Sequence, residues 1–156
     1  DYGTLIRNAN ETLRLNFNHP VKELIWAVEG YGNPTAAKVD SNTNANPAVG
    51  MNDLRPTNGA QIILNGHDRF AQRSGEYFTQ VQPYQHHTRI PRKPIHVYSF
   101  AMKPEDPVQP SGTCNFSRID NAQLVDSLTT SSLNIYAVNY NVLRIMSGMG
   151  GLAYSN

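Results

Sequence analysis

Charge of either sign is scarce in this chain. Of 156 residues, 13 are Lys or Arg and 12 are Asp or Glu, which makes 16% charged against about a quarter in most soluble domains. A net charge of +1 supplies no field that would hold a nucleic acid or an anionic membrane surface. Cysteine is nearly absent: Cys114 stands alone, so no intrachain disulfide can form. That excludes a disulfide-stapled scaffold and agrees with folding in a reducing compartment. No apolar run approaches the ~20 residues that span a bilayer as a helix. No signal peptide is evident. The chain opens at Asp1 without a Met, and it is expected to be a piece of a longer polypeptide.

Asn, Thr, Ser and Gln carry the polarity instead. That composition suits a surface that must pack against many neighbours without the cost of desolvating charge, and it suits an ordinary Asn-rich β-protein equally. The length fits one domain, which at this size buries roughly 70% of the surface its unfolded chain exposes.

Strand periodicity dominates. In Thr12–Asn18, Leu13, Leu15 and Phe17 alternate with Arg14, Asn16 and Asn18, the period of two of a half-buried strand. His19-Pro20 ends it, and Glu23–Val28 follows as a second strand with Leu24, Trp26 and Val28 on one face. Residues 33–58 hold Asn33-Pro34, Asn46-Pro47 and Arg55-Pro56 with no sustained period, and read as a long surface loop. Gln61–Asn65 is a third strand closed by Gly66. His67–Gly75 holds a short strand or a turn. Tyr77, Phe78 and Val81 lie at helical spacing, so a short helical turn is expected before Pro83.

His86–Pro94 is a basic, proline-punctuated loop. Ile95–Met102 is apolar on both faces and is expected to sit centrally in a sheet. Lys103–Gly112 is a turn region with Pro104, Pro107 and Pro110. Thr113–Ile119 is the next strand, and Ala122–Leu128 a strand or helical turn. Leu133–Met146 reads as one long strand, broken by Gly148, Gly150 and Gly151. About eight strands and no long helix make an all-β, antiparallel sandwich; eight strands in two Greek keys is the jelly-roll arrangement.

Candidate chemistry is thin. His86 and His87 are adjacent and, on a strand, face opposite ways, with no Cys or carboxylate at zinc-ligand spacing. Gly148-Met-Gly-Gly151 opens no helix, so it lacks the N-terminus that a phosphate cradle needs. Cys114 reads as a packed small residue rather than a nucleophile. Asp68, Glu76, Glu105 and Asp106 lie in turn-like segments and read as solvated charges rather than an acid–base pair. Arg89, Arg92 and Lys93 with the two histidines form a basic loop, read as a solvated or contact face. Asn10 and Asn115 open glycosylation sequons, the latter in an expected strand. Tyr2, Tyr31, Tyr84 and Tyr154 fall in turn-like or terminal segments, which leaves a carbohydrate-binding jelly roll as the alternative and a sandwich hydrolase behind it.

Three stretches go further. They are Leu13-Arg-Leu-Asn-Phe-Asn-His-Pro-Val-Lys-Glu-Leu-Ile-Trp26, then Leu64-Asn-Gly-His-Asp-Arg-Phe70 continuing through Tyr77-Phe78 to Pro83-Tyr84-Gln-His-His-Thr88, and then Ile95–Asp120 with the ending Asn139–Asn156. Together they resemble the major capsid proteins of nucleocytoplasmic large DNA viruses of the phycodnavirus and iridovirus kind. The positions that carry the match, and to which the resemblance gives a structural role, are His19, Pro20, Trp26, Asn65, Gly66, Pro104, Pro110, Ser111, Gly112, Asn115, Arg118, Asn139, Asn141 and Arg144. The resemblance implies that residues 1–156 form the second jelly roll of a double jelly-roll protein. It implies no catalytic, metal or cofactor site, and no direct nucleic-acid binding. It further implies a homotrimer forming a pseudo-hexagonal capsomer, contacts with neighbouring capsomers and minor capsid proteins, proximity to an internal viral membrane, and a place in the icosahedral virion after assembly in the host cytoplasm.

Overall fold

A computed structural model describes residues 2–5, 12–28, 59–93, 95–126 and 133–154. The expected loop at 33–58, the Gly30–Pro34 turn and Asn10 lie outside the described residues. The strands are β1 (Tyr2–Leu5), β2 (Thr12–Arg14), β3 (Pro20–Val28), β4 (Ala60–Leu64), β5 (His67–Asp68), β6 (His96–Ser99), β7 (Cys114–Asn115), β8 (Ala122–Asp126), β9 (Leu133–Asn139), β10 (Leu143–Met146) and β11 (Met149–Leu152). A π-helical turn, Tyr77–Val81, runs into α1 (Gln82–His86), and a 3-10 turn spans Phe116–Arg118. Among the described residues there are thus eleven strand segments, some only two residues long, where about eight strands were expected.

All pairings are antiparallel. One sheet runs β1-β9-β3-β6, with β7 also on β3; a second runs β2-β8-β4-β5; β10 and β11, among the described residues, pair only with each other. The register sets Leu24 opposite both Ala137 and Tyr98, and Trp26 opposite both Ile135 and His96. Because side chains alternate along a strand, these residues share one face. The second sheet presents Leu13, Leu124 and Ile62, aligned by register. Residues of both sheets, with Phe78 and Phe116, form one buried cluster, so the two sheets make a sandwich. Within it Trp26 packs against Phe78, ring centroids 5.2 Å apart, and Phe70 bridges Phe78 and Tyr98.

Several expectations change. The first strand stops at Arg14, although alternating burial continues through Leu15 and Phe17 and Leu15 N–H still donates to Ala122 O. Helix continues past Pro83, which sits in the first turn of α1, where the missing N–H has no intrahelical acceptor to lose. The Ile95–Met102 strand is shorter, and among the described residues β6 lies at the end of its sheet, not the centre. All four of its residues are nonetheless buried: apolar groups on both faces report cover on both faces, not a central position. Thr113–Ile119 is not a strand throughout. Asn115 Oδ1 accepts from Ser117 N–H at 3.1 Å and turns the chain into the 3-10 turn, as Asx side chains do at caps. Leu133–Met146 is two strands, and Gly150 and Gly151 lie inside a further one, β11.

Candidate functional site

The residues singled out from the sequence fall largely at one end of the first sheet. His19 has a φ of +66°, a conformation uncommon outside glycine. It is held there from both sides: its N–H donates to Ser117 Oγ at 2.9 Å, and its carbonyl accepts from Phe116 N–H. Pro20 opens β3 opposite Asn115, and its carbonyl accepts from Tyr140 N–H. Asn139 Nδ2 donates to Asn18 O at 3.2 Å. Asn141 Nδ2 donates to Tyr154 O at 2.9 Å while its Oδ1 accepts from Val142 N–H. Here side chains replace the sheet ladder, which is why the expected long strand breaks between Asn139 and Leu143. Arg118 is exposed on the 3-10 turn, and Arg144 on β10.

Two further brackets shape loops. Asn65 and Gly66 both have positive φ, as the two-residue turn joining β4 to β5 requires. Asn65 Oδ1 also accepts from Asn121 N–H, and its own N–H donates to Asn121 O. In the proline-rich turn, Pro104 is buried and Pro110 exposed, and Ser111 Oγ accepts from Lys103 N–H. Gly112 has a φ of +147°, and a Cβ there would lie 2.6 Å from Phe100 O.

The expected chemistry does not converge. Asp68 is exposed, and Asp106 Oδ1 is turned onto Val108 N–H. Arg89, Arg92 and Lys93 are exposed. Cys114 is partly buried, which pushes its thiol pKa up, away from nucleophilic character. Among the described residues no group of three His, Cys, Asp or Glu has the arrangement of a metal site.

Spacing in the sequence missed one contact. His87, just beyond α1, sits between two carboxylates, with Nε2 2.8 Å from Glu23 Oε2 and Nδ1 3.0 Å from Glu105 Oε1. Glu105 is held below its ordinary pKa, first by His87 and then by the Thr88 backbone. Glu23 is buried on β3, so this contact ties the helical corner to the sheet. His86 Nδ1 meets Met102 O. His86, His87, Thr88, Met102 and Glu105 line an open depression with Gln85, Lys103 and Asp106. In the core, His96 stacks on Trp26 at 5.5 Å and 12°. Among the described residues neither of its ring nitrogens nor Trp26 Nε1 has a partner in good hydrogen-bonding geometry. Burial lowers the His96 pKa to about 4, opposed weakly by the Trp26 backbone.

The geometry is thus a set of backbone brackets around a sandwich, and known proteins match the sandwich in sequence and fold. The family model for the large eukaryotic DNA virus major capsid protein covers residues 4–151. The major capsid protein of Pyramimonas orientalis virus is 47% identical over 96% of this chain and 40% of its own length. That of Paramecium bursaria Chlorella virus 1 (PBCV-1) is 43% identical over 95% and 44%. A solved chain of the PBCV-1 virus capsid superposes over 100% of this chain with a TM-score of 0.78 and 38% identity, using 50% of its own length. The Faustovirus major capsid protein, 13% identical at a TM-score of 0.60, shares the fold. The chain therefore spans half or less of the length of these three relatives at over 25% identity, and its antiparallel sandwich is their jelly roll.

Proposed function

Since the chain belongs to the large eukaryotic DNA virus major capsid protein family, we propose that it is the carboxyl-terminal jelly roll of a protein that builds a viral shell. The role is structural, not enzymatic. Three copies of the whole polypeptide associate into a pseudo-hexagonal capsomer, and capsomers tile an icosahedral capsid together with minor capsid proteins, over an internal membrane. Assembly takes place in the host cytoplasm.

The observation that carries this reading is the joint match of sequence and fold. The family model spans nearly all of the chain, and the same residues superpose on a chain from an assembled capsid. The site geometry supports it. His19, Asn65, Gly112, Asn115, Asn139 and Asn141 shape backbone and make no cluster aimed at a substrate. Closed-ring oligomers need surfaces held in a fixed orientation, and residues that lock turns meet that need.

The test is the solution mass of the full-length polypeptide by light scattering on a sizing column. A trimer that persists on dilution is expected, as obligate interfaces are large. A monomer would overturn the capsomer reading. A carbohydrate-binding module would then be tested by glycan binding.

A further inference from the structure

The last element of the chain is a hairpin with no core of its own. Among the described residues strands β10 and β11 pair only with each other, Leu143 opposite Leu152 and Met146 opposite Met149. Directly opposed residues share a face, so Leu143, Ile145 and Leu152 lie on one side, and Met146 and Met149 with Arg144 on the other. Every residue from Asn141 to Tyr154 is exposed, and Leu143, Ile145, Met149 and Leu152 are each 65% exposed or more. Arg144 is the only charge in that stretch. A lone two-stranded hairpin is marginal in water, and an apolar surface rimmed by polar residues marks an interaction site.

The hairpin is nonetheless shaped and aimed. Ser147 and Gly148 both have positive φ, as a two-residue hairpin turn requires. Its root is tied down by Asn141 to Tyr154 O, by Ala153 N–H to Val142 O, and by Tyr140 N–H to Pro20 O. Tyr154 lies 6.5 Å from the His19 ring. On β11, a Cβ at Gly151 would meet nothing within 4 Å, and one at Gly150 only Ile145 at 4.0 Å. Bare backbone there lets a partner approach closely.

The partner follows from the length of the relatives. The PBCV-1 capsid chain that superposes on the whole of this one has half its length elsewhere. A partner in the same polypeptide meets the hairpin at a high effective concentration. It covers the apolar faces as the protein folds, whereas a surface reserved for a second copy stays open on each new monomer and invites aggregation. We infer that the β10–β11 hairpin is the seam through which this jelly roll docks onto the part of its own polypeptide outside residues 1–156. This rests on the reading of the chain as one half of a capsid protein.

The experiment uses the full-length protein with benzoylphenylalanine, a photo-crosslinking amino acid, at position 145 and, in a second variant, at position 149 on the opposite face. Irradiation is followed by denaturing electrophoresis and peptide mapping. The expected adduct runs at the mass of one chain and joins the hairpin to a peptide outside residues 1–156. An adduct of two-chain mass, a link within residues 1–156, or no adduct at either position would each overturn the inference. Light scattering on the same samples before irradiation separates the two ideas. A trimer without the intrachain adduct sinks the seam and keeps the capsomer; a monomer with it does the reverse.

Discussion

His96 is the residue most at odds with its surroundings. It is buried against Trp26 with neither ring nitrogen bonded, a state that costs about 1–3 kcal/mol for each unsatisfied group. The folded ring takes a proton only near pH 4, the unfolded one near 6.5. Acid therefore favours the unfolded chain. Stability present above pH 6.5 is lost progressively down to about pH 4, by on the order of 3 kcal/mol. His96→Phe should flatten denaturant-measured stability across that window while keeping the stack on Trp26. A second, lower window belongs to Glu105, whose carboxylate pKa is depressed. Its contribution is present above the ordinary 4.5 and is lost as pH falls through the lowered value, so Glu105→Gln should leave the acid limb below pH 4.5 shallower. Gly112 is a steric case. With Phe100 O 2.6 Å from where a Cβ would stand, Gly112→Ala should cost more than about 1 kcal/mol in urea unfolding.

Among the elements, turns and side-chain clamps decide where strands stop. The β4–β5 turn needs Asn65 in a left-handed conformation and uses its side chain to hold Asn121. Asn65→Ala loses both, and thermal unfolding should show a loss of about 1–3 kcal/mol. An unchanged melting temperature would mean that the turn is held by its neighbours alone. The corner after α1 depends on His87 gripping Glu23 and Glu105, two residues that the sequence places far from it and from each other.

For the whole molecule, scarce charge becomes a statement about assembly. With 16% charged residues and a net charge of +1, cohesion of the proposed trimer should rest on apolar contact. Screening acts on exposed charges, so the trimer mass should be the same at 0.1 M and at about 1 M salt. Dissociation on raising salt would point to ion pairs at the interface instead.

Periodicity and turn chemistry in the sequence suffice for the all-β class and for Leu13, Leu24 and Trp26 as core, because alternation and Gly, Pro and Asn placement are local properties of the chain; the family came from the resemblance of three stretches. Asn139, Asn141 and Arg144 were equally visible as motif residues. Their effect was not: Leu133–Met146 keeps a strand period throughout, and the carbonyls of Asn18, from the far end of the chain, and of Tyr154, returned by the hairpin, break it into β9 and β10. The same holds for the His87–Glu23–Glu105 contact and for the place of β6 at a sheet end. Strand order, clamps between distant residues and the side of an element left bare depend on which segments meet in space, and period-two alternation carries no information about that.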